Sequence, residues 1–276
     1  MSLSLNDIKT GVVKKPVRGL IYGTPGIGKS TFGANCPSPI FITTEDGLGL
    51  LDVPHLPTPE TIKDFKEQVL LLLNEKHDYK TLVIDTADNL DLNIVQPAVF
   101  SEFSDSTRSF ADIPWGKGPK RAAEYFAGIV KLLDRIRNEK DMHVFFLSHS
   151  LIRRHEPAGQ EGYDRYEPDM NKHTRDVLVD WADIVGFASY EVHLKKVDSK
   201  FSERKVGVGT GARMLYLEER PHHMAKNRYT MPYEIPFEAQ AFWQELKGKV
   251  SGKGKVVEKS KAVTNKTTDN KDKKND

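Results

Sequence analysis

Nine consecutive residues, Gly23, Thr24, Pro25, Gly26, Ile27, Gly28, Lys29, Ser30 and Thr31, contain the pattern G-x4-G-K-[ST]. By average composition this pattern arises by chance in a chain of this length about one time in a hundred. Its chemistry follows from the residue types. Glycines let successive backbone N–H groups turn inward as an anion nest. A helix opening directly after them adds partial positive charge at its N-terminus. Lys29 then reaches the β- and γ-phosphates of a nucleotide, and the Ser30 hydroxyl ligates Mg²⁺. Thr31 falls near the α-phosphate. The expected cofactors are ATP and Mg²⁺.

Two acids complete the expected site. Asp85 ends the apolar run Thr-Leu-Val-Ile-Asp at 81–85, the place where an open α/β sheet presents ligand-binding groups. There it would hold Mg²⁺, through water; the alternative is that it caps the helix that follows. Thr86 follows it directly, so the usual adjacent catalytic acid is missing. Glu45, just past the second predicted strand, is the candidate to orient or deprotonate the attacking water. A plain solvated loop acid is the competing reading, and Asp46 is its neighbour.

These groups need a sheet to position them. Strands are expected over 17–22, 39–44, 81–86 and 143–148, with helices over 30–35, 57–76, 87–100 and 120–139. The 57–76 helix rests on Ile62, Phe65, Val69 and Leu72 at helical spacing. Alternating strands and helices predict an α/β fold with a parallel sheet and crossover helices in three layers. Later strands over 183–196, 213–217 and 228–235 have short connections, which predicts antiparallel additions at one edge. A helix over 237–246 closes the domain. Residues 101–118 and 150–172 are polar and read as long loops.

Composition bounds the rest. The 276 residues are 38% hydrophobic, enough for a real core, and carry a net charge of +2. The charge is uneven: residues 247–276 hold ten lysines and four acids, so the tail carries +6 and the remainder −4. Such a tail is expected to be disordered; it either holds nucleic acid loosely through phosphates or merely solubilises. The expected organisation is an N-terminal segment 1–14, an ATPase domain 15–246 and the lysine-rich tail 247–276. No apolar run is long enough for a bilayer span, and the N-terminus lacks signal-peptide character. Cys36 is the single cysteine, which excludes an internal disulfide framework and is expected to be a buried small hydrophobe.

Taken in order, the strand–P-loop–helix, Thr44-Glu45-Asp46 after the next strand, and the strand ending in Asp85 resemble the RecA-type ATPase core. More narrowly, Pro114-Trp115-Gly116-Lys117-Gly118 and Tyr166-x-Pro168 make the chain similar to phage-encoded, core-only RecA-like proteins over roughly residues 15–235. The resemblance supports Glu45 as the water-activating acid. It implies that His149, after the fourth strand, senses the γ-phosphate. It also implies that Lys226 and Arg228 act as a K-x-R finger pair on the ATP of a neighbouring subunit. Its further implications are single-stranded DNA binding and annealing, self-assembly as a ring or filament, a single-strand binding protein as a further partner, and a cytoplasmic place in a bacterial host. The resemblance does not extend to the N-terminal oligomerisation arm of full recombinases, so strand exchange is not among its implications.

Basic groups mixed with aromatics suit single strands, because cations track phosphates and rings stack on bases. The two long loops supply Arg108, Trp115 and Lys117, then Arg153, Arg154 and Tyr166. The bland alternatives are that Trp115 pins its loop to the core and that the acids at 156, 161, 164, 167 and 169 make the second loop a solvated lid. Two other readings stay open: a nucleotide-dependent assembly or switch module that partners replication proteins, and a P-loop kinase, which lacks an arginine-rich lid here.

Overall fold

The computed structural model describes residues 15–199 and 202–251. The expectations for 1–14 and for most of the lysine-rich tail lie outside these residues. The chain runs β1 (Arg18–Gly23), α1 (Lys29–Ala34), β2 (Pro39–Thr43), β3 (His55–Leu56), α2 (Ile62–Asn74) and β4 (Thr81–Asp85). It continues through α3 (Ala87–Asn89), a π-helical turn (Leu90–Val95), α4 (Gln96–Phe103) and α5 (Lys117–Glu139). Then come β5 (His143–His155), β6 (Tyr163–Pro168), α6 (Lys172–Trp181), β7 (Ile184–Ser199), β8 (Ser202–Tyr216), β9 (Lys226–Asn227), β10 (Glu234–Pro236) and α7 (Ala239–Ser251).

The sheet order is β10-β8-β7-β1-β5-β4-β2-β3, with β6 on β5 and β9 on β7. Every pairing from β7 across to β3 is parallel. The strands β8, β9 and β10 add antiparallel at the β7 side, as their short connections predict. Strand alternation splits the core in two. Leu20, Tyr22, Ile42, Leu82, Ile84, Val144 and Phe146 face one cluster with α2, α5 and α6. Ile21, Phe41, Val83, Phe145 and Leu147 face the other, with α1 and α7. The result is the expected three-layer α/β/α arrangement. Cys36 is buried in the second cluster, and burial pushes its thiol up to about 12.

Three expectations for local structure need correction. The charged stretch 150–172 is mostly a hairpin: β5 runs on to His155 and pairs antiparallel with β6. Its charges misled because several are internal. Arg165, Glu167 and Arg175 are buried together, with Glu167 accepting from both guanidinium groups. The segment 101–118 is partly helical, through the end of α4 and short turns at Phe110–Asp112 and Pro114–Gly116. The single strand expected over 228–235 is instead β9, a turn and β10. The Asn227 side chain closes that turn by accepting from the N–H groups of Tyr229 at 3.0 Å and Met231 at 3.3 Å, the usual way asparagine competes with a strand ladder.

Candidate nucleotide site

Parallel pairing brings the ends of β1, β2 and β4 and the middle of β5 to one edge. Gly23 of β1 lies opposite His149 of β5, and Thr43 of β2 lies opposite Asp85 of β4. β5 sits between β1 and β4. Gly23 passes directly into the turn that opens α1. Gly26 and Gly28 both have positive φ, 76° and 104°, the left-handed region where a Cβ is strained, so this loop requires glycine at both positions.

Lys29 is buried and folds back on the loop. Its Nζ donates to the carbonyls of Gly23 at 3.1 Å and Thr24 at 3.2 Å. Burial lowers its pKa, opposed by the nearby carboxylates of Asp85, Asp88 and Glu45. The Ser30 hydroxyl donates to Asp85 Oδ2 at 2.6 Å. Asp85 is itself buried, and burial raises its pKa against the pull of Ser30 and Lys29. Two hard oxygen donors this close suit Mg²⁺, which takes few protein ligands and keeps water and phosphate oxygens for the rest. Among the described residues no group of three or more His, Cys, Asp or Glu side chains is arranged to hold a metal.

The end of β2 is fastened to the end of β4. Thr44 Oγ1 donates to the Thr86 carbonyl and accepts from the Thr86 N–H, each at 2.8 Å. This places Glu45 beside the loop, where Asn89 donates to its Oε2. Burial raises the Glu45 pKa, and His149 opposes it. His149 is joined to Asp88 through both its backbone N–H and its ring. Lys29, Ser30, Glu45, Asp85 and His149 line one cavity of about 340 Å³. The fold thus brings these five expected groups together. Thr44, Asp88 and Asn89, which hold them, were not among the expected residues; for Asp88 and Asn89 the signal is Thr86-Ala-Asp-Asn89, a polar run directly after β4.

A second omission is Arg213. From β8 its Nη1 reaches the Ile27 carbonyl at 3.3 Å. A Cβ placed on Gly28 would lie 2.6 Å from the same nitrogen.

A family model described as an AAA domain matches residues 15–229. The chain belongs to that family. No curated protein matches the chain. AAA domains are P-loop ATPases that take ATP with Mg²⁺, and the lysine, hydroxyl and carboxylate this requires converge in this AAA domain at one sheet edge. No helix among its described residues is long and apolar enough to cross a membrane.

The remaining expected residues are scattered. Lys226 and Arg228 both have partners within the chain. β9 pairs with the start of β7, at Ile184 and Val185, and so lies at the end of the sheet away from Gly23. There the Lys226 Nζ donates to the carbonyls of Val179 and Asp180, closing the C-terminus of α6. Arg228 pairs at 3.1 Å with Asp183, a buried carboxylate that also binds Arg18 and Arg137. The physical reason is local: a buried aspartate and open helix carbonyls take up both cations.

Tyr166 is likewise unsuited to stacking on a base. Its ring stacks on Phe187 at 4.9 Å, and its carbonyl accepts from the Tyr22 hydroxyl at 3.0 Å. Arg153 is part-buried and donates to the Met170 carbonyl, while Arg154 is exposed and lies 3.8 Å from Asp164. Arg108 donates to the carbonyls of Asp105 and Thr107. Trp115 does not pin its loop: it is 87% exposed with φ at 64°, and exposed Lys117 follows it.

Proposed function

We propose that this AAA domain is a Mg²⁺-dependent ATPase that binds single-stranded DNA and assembles with copies of itself in recombination or replication. The observation that carries the DNA part is Trp115. Its ring is 87% exposed, held in a backbone conformation uncommon for a non-glycine residue, and so presents an open π-face to a ligand. It follows the metal-side strand β4, beside Lys117, and a ring next to a cation is what an unpaired base and its phosphate require. Arg153 and Arg154 on the β5–β6 hairpin extend the cationic track. Glu45 activates water and His149 reads the γ-phosphate through its link to Asp88. Assembly as a ring or filament follows from the resemblance to RecA-like cores.

A second reading has its own support. Arg154 faces Asp164, and Tyr166 is packed inward, so the hairpin offers DNA less than its sequence promised. That favours a nucleotide-dependent assembly module whose exposed tryptophan meets protein. The deciding experiment measures ATP hydrolysis with and without oligo-dT, with sizing in ATP. DNA-stimulated turnover with ATP-dependent assembly is expected. Assembly with no DNA effect on rate or size would replace the first reading by the second.

A further inference from the structure

A separate cavity, of about 230 Å³, opens beside the π-helical turn Leu90–Val95. It shares no lining residue with the cavity that holds Lys29 and Asp85. Three carboxylates line it, Asp88, Asp91 and Asp169, against a single guanidinium, Arg153. The Arg153 Nη2 is held by the Met170 carbonyl at 2.7 Å. Leu92, Phe110 and Met170 supply the apolar part of the wall. Single π-turns are rare and recur at functional positions.

Asp91 is the unusual member. It is 1% exposed. Its Oδ2 accepts from the Asn171 N–H and the Thr174 hydroxyl, each at 2.9 Å, which ties the π-turn to the start of α6. That structural duty uses one oxygen. Oδ1 is buried with no hydrogen-bond partner, and a buried acceptor left open is costly. Burial pushes the Asp91 carboxyl up to about 6, against the pull of Asn171, Thr174 and Gln96. Burial and the charge of Asp88 also raise Asp169. Such carboxyls are short of positive partners.

Among the described residues these carboxylates are not grouped to hold a metal ion. The volume falls below the roughly 300 Å³ of ordinary small-molecule sites, so it fits one head group on a stem. An ammonium brings three N–H donors, and its methylenes can lie along Leu92, Phe110 and Met170 as lysine stems lie on apolar surface. The chain carries such groups itself: residues 252–276 contain eight lysines. A segment of that length spans up to about 80 Å when extended.

We infer that this cavity is a binding site for an alkyl ammonium group, received by Asp91 Oδ1 and Asp169, and supplied either by the lysine-rich tail or by a free alkylamine. Asp88 lines the cavity and also holds His149, so the cation lies one side chain away from the nucleotide site. The inference is independent of the ATP and DNA readings above.

The test follows thermal melting of the full chain against n-butylamine hydrochloride at constant ionic strength. Tetramethylammonium chloride serves as a cation of equal charge with no N–H donor. A ligand that binds only the folded state raises Tm. The wild type is compared with a full-length protein whose eight tail lysines are replaced by glutamine. A saturable rise with n-butylamine, and none with tetramethylammonium, is expected in at least one of the two. Equal rises in both assign the site to free alkylamines. A rise confined to the glutamine-tail protein, or saturating there at an at least about fivefold lower concentration, makes the tail the occupant. In the responding protein, Asp91→Asn and Leu92→Trp should each weaken n-butylamine by about tenfold or more. Leu92 is 58% exposed, so its variant covers the mouth without disturbing the core and decides the matter even where Asp91→Asn fails to fold. No saturable rise in either protein, an equal rise with tetramethylammonium, or an undiminished response in Leu92→Trp overturns the site.

Discussion

Asp88 holds His149 at two points: the His149 backbone N–H donates to its Oδ1 at 2.9 Å, and the ring Nδ1 lies 2.8 Å from its Oδ2. The pair fixes the imidazole midway along β5, where its pairing with β1 ends directly across from Gly23. With Nδ1 engaged, Nε2 is the ring nitrogen left for a ligand. Because Asp88 sits three residues after Asp85, any shift of β4 reaches the histidine through a single side chain.

The pair should stabilise the fold in a defined pH window. The hydrogen bond from Asp88, against the cost of burial, raises the His149 pKa above its ordinary 6.5. Burial pushes Asp88 up, but the His149 ring and backbone bonds outweigh it and hold the carboxyl below its ordinary 3.8. The histidine contribution is therefore complete below 6.5 and lost as pH rises through its folded value. The aspartate contribution is complete above 3.8 and lost as pH falls through its folded value. Asp88→Asn should lower Tm most at about pH 5–6, and the gap should narrow at about pH 8–9. Melting curves of both proteins across that range check it; a gap that grows with pH would contradict the charged pair.

Glu45→Gln should separate binding from turnover. The amide keeps the size of the side chain and can still meet Asn89, so Mg–ATP affinity should stay within about twofold, while kcat falls by about 10²–10⁴. Burial raises the Glu45 pKa above its ordinary 4.5, despite the opposing charge of His149. A base must be ionised to act, so the wild-type kcat should fall on the acid side at a pH above 4.5. Single-turnover hydrolysis across pH reads both effects. Retained hydrolysis in the variant would assign the base elsewhere.

These two residues show how far the sequence could be read. The loop at 23–31, Asp85, Glu45 and His149 were legible because each lies where the parallel pairing of its strand stops, and those points converge whatever the loops do. Lys226 and Arg228 took local partners that alternation on a strand could not foretell, because alternation says which face a side chain takes, not which end of the sheet the strand joins. β9 joined the end where Asp183 and the α6 carbonyls already required cations. Arg213 went unseen for the complementary reason: only the antiparallel pairing of β8 with β7 brings residue 213 next to residue 28. Tyr166 looked like a loop aromatic until β5 and β6 proved to be a hairpin packed on Phe187.

The buried charges of that hairpin carry stability. Glu167 accepts from Arg165 and Arg175, and all three are buried. Removing that carboxylate leaves Arg165 with Glu219 and Arg175 with Asp176, each at 2.9 Å, as remaining partners. Glu167→Ala should therefore cost about 1.5–3 kcal/mol, the worth of a hydrogen bond to a charged group, read as a shift in urea midpoint at unchanged slope. Exposed Arg154, 3.8 Å from Asp164 at the other end of the same hairpin, should cost no more than about 1 kcal/mol when replaced by alanine. Comparable losses from the two substitutions would mean that the buried group is better solvated than its packing shows.

Tyr166 on this hairpin and Trp115 outside it give opposite expectations for stability and DNA affinity. Trp115→Ala removes a ring that touches solvent, so its Tm should stay near the wild type, while oligo-dT affinity should fall by the worth of one stacked base, about 1–3 kcal/mol. Tyr166→Ala should do the reverse: it opens a gap against Phe187 and lowers Tm, with DNA affinity unchanged wherever the protein remains folded. Replacing Arg153 and Arg154 together by alanine should weaken oligo-dT binding and flatten its dependence on salt, because fewer phosphate counterions are released. Anisotropy titrations at several salt concentrations measure all three. A full-strength Trp115→Ala complex with an unaltered salt slope in the double variant would remove both regions from any DNA path and leave the exposed ring to a protein partner.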